Sequence, residues 1–231
     1  MQIRTYLDDT YAEQVDTRVI ATGHHEGRPW VAVEHCLFHP QGGGQPADRG
    51  SLEDIEVVPV WDHRLGLVTV MSASASAGWP EFAKGQAVRA RIDLDARMAH
   101  AALHTAGHLI DAAGRAQGWE PAGSNHFPGQ ARIEFTTPQV DPRLTEPEGR
   151  QEILTELRKT VAAAIAESLP VTAAVDEQGR RAVSLGSLHS APCGGTHVRR
   201  LGDLSDVDLS TLKVKRGRIR VSYSASHESR S

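Results

Sequence analysis

Two short motifs far apart in the chain place the strictest demand on any fold it adopts. His104-Thr105-Ala106-Gly107-His108 carries imidazoles at i and i+4, which on a helix project from one face with Cβ atoms about 6 Å apart. Cys193-Gly194-Gly195-Thr196-His197 begins eighty-five positions after His108 and sets a thiol and an imidazole around two glycines, whose backbone freedom lets both donors turn toward one point. Each pair alone has a bland reading, as exposed helical histidines or a buried thiol. Together they supply the nitrogen and sulfur donors of the tetrahedral set zinc prefers, with bonds of about 2.0 to 2.3 Å. His104, His108, Cys193 and His197 are therefore the candidate metal ligands. His100 extends the helical series, but eight residues rise about 12 Å, too far for one ion to hold both outer rings with the middle one. Thr105 stands where zinc proteases carry glutamate, which argues against peptidase chemistry. Four protein ligands usually mark a closed structural site, whereas metal-assisted hydrolysis needs an open position, and both readings stand at this point.

Composition agrees with a metal-binding protein of ordinary globular type. The 231 residues are 39% hydrophobic and 23% charged, with a formal net charge of −4, and twelve of them are histidines. Only Cys36 and Cys193 are cysteines, too few for a disulfide framework. No run of 18 apolar residues occurs and the opening Met1–Asp9 lacks the apolar stretch of a signal peptide, so a cytoplasmic protein with no membrane partner is expected.

The hydrophobic pattern predicts an α+β protein in two parts. Residues 1–93 read as a small antiparallel β-barrel, with strands at Thr17–Thr22, Trp30–Glu34, Glu56–Val60, Leu67–Met71 and Ala87–Ile92 and an exposed connection at Ser72–Gly78. Residues 94–231 read as a two-layer metal-binding domain, helices on a mainly antiparallel sheet. Met98, Ala102, Ala106, Leu109, Ala113 and Ala116 form one stripe of a helix stopped by Gly118. A second helix follows a Thr145/Glu148 capping box, buries Ile153, Leu154, Leu157, Val161 and Ile165, and ends at Pro170. Strands are expected at Ala131–Thr137, Val171–Val175, Ala182–Leu185, Thr211–Lys215 and Arg218–Tyr223.

Gly42-Gly43-Gly44-Gln45-Pro46-Ala47-Asp48 is the second dense signal. Consecutive glycines make sense where backbone must approach something closely, with Gln45 and Asp48 presenting polar groups beside it, although a flexible barrel turn explains them too. The loop has neither P-loop nor dinucleotide-binding spacing. In the last hairpin, Leu212, Val214, Ile219, Val221 and Tyr223 alternate with Lys213, Lys215, Arg218 and Arg220, and Arg216-Gly217 forms the turn. Four cations on one solvent face suit an RNA phosphate backbone; protection of an edge strand accounts for the same residues.

The glycine loop with Asp48, the His104/His108 pair and Pro192-Cys193-Gly194-Gly195-Thr196-His197-Val198 together resemble the freestanding alanyl-tRNA editing proteins, in their medium form, and the editing domain of alanyl-tRNA synthetase. The resemblance runs in order over nearly the whole chain. It implies a barrel followed by the domain shared by threonyl- and alanyl-tRNA synthetases, zinc on the two motif pairs, and hydrolysis of the ester joining serine or glycine to alanine tRNA. Cys36, Gly43, Gly44 and Gln45 are the candidate substrate contacts, and the hairpin cations Lys213, Lys215, Arg218 and Arg220 the candidate RNA contacts. Two departures stand out. Cys36 occupies the place of a threonine whose hydroxyl recognises serine in relatives, and a thiol is the weaker donor. Gly107 replaces a bulkier helical residue at a cost of about 1 kcal/mol in helix propensity, which points to crowding near the metal. No general base is assigned; Glu134 on its strand reads as a surface pair before a catalytic helper. No oligomeric state is assigned. A noncatalytic tRNA-binding module with a structural zinc, and a metallohydrolase of small esters or amides, are the alternatives.

Overall fold

The computed structural model describes residues 1–74, 78–139, 141–175 and 177–228, so Ala75–Ala77 of the expected exposed connection lie outside the described residues. The chain divides into two compact units, Met1–Gly42 with Pro46–Met98, and Gly43–Gln45 with Ala99–Ser231.

The first unit is built on strands whose residues alternate between a buried and a solvent face. In β6 (Ala87–Ile92) Val88, Ala90 and Ile92 point inward while Arg89 and Arg91 face water. With β1 (Gln14–His25), β2 (Arg28–Val33), β3 (Gly50–Leu52), β4 (Ile55–Asp62) and β5 (Leu67–Ser72) it closes an antiparallel barrel in the order β1-β2-β5-β4-β3-β6. Closure leaves no strand edge unpaired. A one-turn helix, α1 (Thr5–Asp8), carries Tyr6 into the core. The interior is filled by small and medium apolar side chains, Val19, Val31, Val33, Leu37, Leu52, Val57, Val68 and Val70 among them, each worth about 1.5 to 3 kcal/mol when fully buried. The β1–β2 hairpin turns on Glu26 and Gly27, both at positive φ, the two-residue geometry that matches strand twist. β3 is too short to register as a hydrophobic pattern. It begins at Gly50 because a Cβ there would run into the Arg91 carbonyl of β6.

Asp48 and Arg97 form a fully buried ion pair inside this unit. Arg97 Nε donates to Asp48 Oδ1 at 2.8 Å, its Nη2 donates to Asp48 Oδ2 and to the Leu37 carbonyl at 2.7 Å, and its Nη1 donates to the Thr10 carbonyl at 3.2 Å. The His39 amide donates to Asp48 Oδ2 at 2.5 Å. Every oxygen of the carboxylate is thus engaged, and Asp48 is a structural anchor of the chain beyond β2 rather than a polar group presented to a substrate.

Helix α2 (Leu94–Ala116) starts at Asp93, whose Oδ1 accepts the Ala96 amide at 2.9 Å. It ends in a Schellman motif: Gly118, at φ +78°, donates to the Arg115 carbonyl and Trp119 to that of Gly114. The expected stripe is buried except for Ala116, but residues 100–107 are buried without a break, which explains the run of small residues around the helix.

The second unit is a mixed α/β arrangement with two antiparallel sheets where one was expected. β7 (Glu120–Asn125), β8 (Arg132–Thr136), β12 (Leu204–Lys215) and β13 (Arg218–His227) form a four-stranded sheet in the order β12-β13-β8-β7, and β9 (Val171–Val175), β10 (Arg181–Leu185) and β11 (His189–Pro192) a three-stranded one. Helix α3 (Pro147–Glu167) buries Ile153, Leu154, Leu157 and Val161 as its periodicity requires, with Ile165 half-buried beside a buried Ala164. Its start differs from expectation. The Thr145 hydroxyl donates to the Pro142 carbonyl and closes a preceding 3₁₀ turn; Pro147 holds Glu146 extended, so Glu146 is the N-cap and no Thr145/Glu148 box forms. The helix stops at Ser168, in the left-handed region, ahead of Pro170. No helix among the described residues is long and apolar enough to cross a membrane.

Candidate metal centre and its cavity

The structure brings the four distant ligands together. One donor atom from each of His104, His108, Cys193 and His197 lies within 4.8 Å of the others. Helix α2 presents the first pair from one face; the loop after β11 presents the second. Cys193 Sγ is 3.5 Å from His104 Nε2 and 3.2 Å from His197 Nε2, close to the edge of about 3.3 to 3.7 Å that a tetrahedron with zinc-length bonds would have.

Each imidazole is aimed by a contact at its other nitrogen. His104 Nδ1 donates to Gln45 Oε1 at 2.7 Å. His197 Nδ1 meets Thr105 Oγ1 at 3.2 Å; that hydroxyl gives its proton to the Ala101 carbonyl and so is left to accept from the ring. His108 Nδ1 lies 3.4 Å from His189 Nε2. Such contacts fix the tautomer and leave Nε2 lone pairs pointing at the centre. Burial, with His189, His126 and Arg181 nearby, pushes the His108 pKa down to about 3, so the ring is a neutral donor at neutral pH. Burial also pushes the Cys193 thiol up, against the opposing pull of the Gly195 amide and Arg181, so a cation held by the cluster would be what stabilises the thiolate. These residues fit a metal ion of the zinc type, and His100 stands outside the group.

The glycine loop contributes to the centre through Gln45, which is fully buried. Its Oε1 accepts from the Thr196 amide as well as from His104, and its Nε2 donates to Thr196 Oγ1 at 2.9 Å. Gln45, fully buried, therefore orients His104 and the Cys193–His197 loop from inside the protein. Gly43 and Gly44 adopt φ of +57° and +78°; the Gly44 carbonyl accepts the His126 amide, and a Cβ there would press on Ser124 and His126. Gly195 is required by space, because its Cβ would collide with the His104 ring, whereas Gly194 faces open space. The crowding expected at Gly107 is present: a Cβ would fall 2.5 Å from the His126 ring and 2.7 Å from the Tyr223 hydroxyl.

Cys36 is not part of this arrangement. It sits fully buried in the barrel core and its thiol donates to the Phe38 carbonyl at 3.6 Å, while burial pushes its pKa up to about 12. Its role in this structure is apolar packing, and no surface of it is left to touch a serine.

A cavity of about 350 Å³ opens beside the centre, lined by His104, His108 and Cys193 and walled by Gly43, Gly107, Asp111, Ser124 and His126. Sequence reasoning missed His126 and His189, which lie in stretches with no motif, and Asp111, which it had a signal for: three residues beyond His108, it continues the same helical face. His126 Nδ1 is 2.6 Å from the Tyr223 hydroxyl, which in turn donates to the Leu103 carbonyl at 2.9 Å. His126 must therefore carry its proton on Nδ1, leaving Nε2 an acceptor, and burial lowers its pKa to about 4.

Lys213, Lys215, Arg218 and Arg220 do share one face of the β12–β13 hairpin, with Lys213 opposite Arg220 and Lys215 opposite Arg218 across a two-residue turn at Arg216-Gly217. Glu134 on β8 pairs with Arg220 at 2.8 Å, Arg218 at 3.3 Å and Arg132 at 3.2 Å, so it is a surface pair. Arg132 foremost, through its hydrogen bond, holds the Glu134 carboxyl below the usual range. No carboxylate pairs with Lys213 or Lys215 among the described residues.

No protein-family model matches the chain. It is 30% identical to an alanine–tRNA ligase of Acidothermus cellulolyticus over 84% of its own length, and spans about a quarter (24%) of that relative. It is 24% identical to the alanyl-tRNA editing protein AlaX-M of Pyrococcus horikoshii over 96% of both chains, and 26% identical to AlaX-L of the same organism over 92% of this chain and 54% of that one. The chain is thus similar to the alanyl-tRNA editing proteins along nearly all of its length and to the ligases along one segment of theirs.

Proposed function

We propose that the protein is a trans-acting, zinc-dependent hydrolase that removes serine or glycine wrongly esterified to alanine tRNA. The observation that carries this reading is the convergence of His104, His108, Cys193 and His197 beside a cavity, in place of a sealed structural site. Zinc held there would supply Lewis-acid activation of the ester carbonyl and of water at neutral pH. The chain's own residues do the rest. Gln45, Thr105 and His189 hold the ligand rings in one orientation; Gly43 and Gly44 let backbone come close to the bound ester; His126 Nε2 offers a fixed acceptor in the cavity. An aminoacyl ester is already activated, so modest polarisation suffices and no strong protein base is required.

In this reading residues 1–93 form a barrel domain and residues 94–231 the editing domain of the kind shared by threonyl- and alanyl-tRNA synthetases, acting in the cytoplasm. Lys213, Lys215, Arg218 and Arg220 would meet phosphate groups of the tRNA, with Glu134 spacing the arginines.

The test is a deacylation panel of seryl-, glycyl- and alanyl-tRNA(Ala) with the metal-loaded protein. Release of serine or glycine with alanine retained is expected; intact esters throughout, with metal bound, would end the proposal. Reversing charge at Lys213 and Lys215 together should weaken tRNA binding and reduce the slope of log affinity against log salt by about 2. An unchanged slope would remove the hairpin from the RNA interface.

A further inference from the structure

The cavity beside the metal cluster is lined by one carboxylate, Asp111, and by no lysine or arginine among the described residues. Asp111 lies on the same face of α2 as His104 and His108, about 4.5 Å farther along the axis than His108. Its two oxygens differ. Oδ2 is taken, 3.1 Å from Arg115 Nε and 3.5 Å from His189 Nε2. Oδ1 is buried and has no hydrogen-bond partner among the described residues. A buried carboxylate oxygen left without a donor is costly, which favours a guest that brings one. His126 Nε2 on the cavity wall is likewise an acceptor, since Nδ1 is spent on Tyr223. Acceptors without cationic side chains describe a pocket for a cation.

We infer that Asp111 Oδ1 binds the α-ammonium group of the aminoacyl ester, and that the pocket therefore selects esters whose α-nitrogen is free over those in which it is acylated. The inference rests on the hydrolytic function proposed above. In an aminoacyl ester the ammonium is one saturated carbon from the carbonyl. With the carbonyl over the cluster, an anchor one helical turn beyond His108 is where that nitrogen needs a partner. Acylation of the nitrogen removes its charge and two of its three protons, and adds bulk against Asp111. Arg115 then acts through Asp111 by holding Oδ2, which leaves Oδ1 without an internal donor.

Two measurements with zinc-loaded protein test this. One compares kcat/KM for seryl-tRNA(Ala) and its N-acetylseryl counterpart; the other compares equilibrium binding of the non-hydrolysable 3′-serylamido-3′-deoxyadenosine and its N-acetyl form. The unmodified protein should prefer the free amine by about tenfold or more in both, the size expected of one hydrogen bond to a charged group. Asp111→Asn should flatten both preferences by raising KM and Kd for the free-amine compounds alone. Equal treatment of the two nitrogen states by the unmodified protein, or a preference retained in Asp111→Asn, would overturn the assignment without involving the fold of a variant. If the amide analogue binds with the stated preference while neither ester is cleaved, the ammonium anchor holds and the hydrolytic reading fails. Cleavage of both esters at equal rates has the opposite meaning.

Discussion

Alanine in place of Cys193 is expected to lower metal affinity and aminoacyl-tRNA hydrolysis together, each by about 100-fold or more, since loss of a mere outer partner already costs about 10- to 100-fold. Cys193 contacts both His104 Nε2 and His197 Nε2, so its removal opens two edges of the donor set at once. Metal content after competition with a chelator and single-turnover deacylation would measure the two losses. Thr105→Val is the graded companion. It removes the acceptor for His197 Nδ1 and for the Val198 amide, and should cost metal affinity about tenfold while leaving all four donors in place. Retention of metal by Cys193→Ala would show that the cluster is not the binding site.

The second large effect concerns stability. Asp48→Ala leaves the Arg97 guanidinium fully buried with only the Leu37 and Thr10 carbonyls for partners, and should destabilise the protein by about 3 to 5 kcal/mol. Urea unfolding would show this as a lower midpoint. Removing the charge at both positions, as Asp48→Leu with Arg97→Met, should recover much of the loss, because a buried ion pair exchanged for apolar packing of similar volume is often neutral. If Asp48→Ala leaves the unfolding midpoint in place, the pair is not the anchor of the chain beyond β2.

What could be read from residues alone, and what could not, divides by physical cause. The convergence of the four candidate metal donors was legible because a ligand must be His, Cys or a carboxylate, and because helical and glycine spacing restricts which of them can meet. The barrel strands and the buried face of α3 were legible from periodicity. The short strands β3, β7 and β11 were not, since three to six residues with Gly or Pro among them carry no period; β7 reads Glu-Pro-Ala-Gly-Ser-Asn. Asp48 and Gln45 show a different limit. Beside three glycines both look like groups offered to a substrate, yet one is half of a buried ion pair and the other is buried against His104 and Thr196. Residue type does not reveal whether a polar group's partners are inside the protein. Thr145 with Glu148 had the right spacing for a cap, but the constraint that Pro147 places on Glu146 moved the helix start past it.

The hydrogen bonds around the cluster join residues very far apart along the chain: 59 positions between Gln45 and His104, 92 between Thr105 and His197, and 151 between Gln45 and Thr196. Closing loops of that length is slow, and contacts of such separation form after the local ones. During synthesis, helix α2 with His104 and His108 leaves the ribosome long before Cys193 and His197 exist. A cation captured early would find only half a coordination sphere, so any metal this cluster holds would be acquired by a nearly finished protein rather than serve as a nucleus around which it folds.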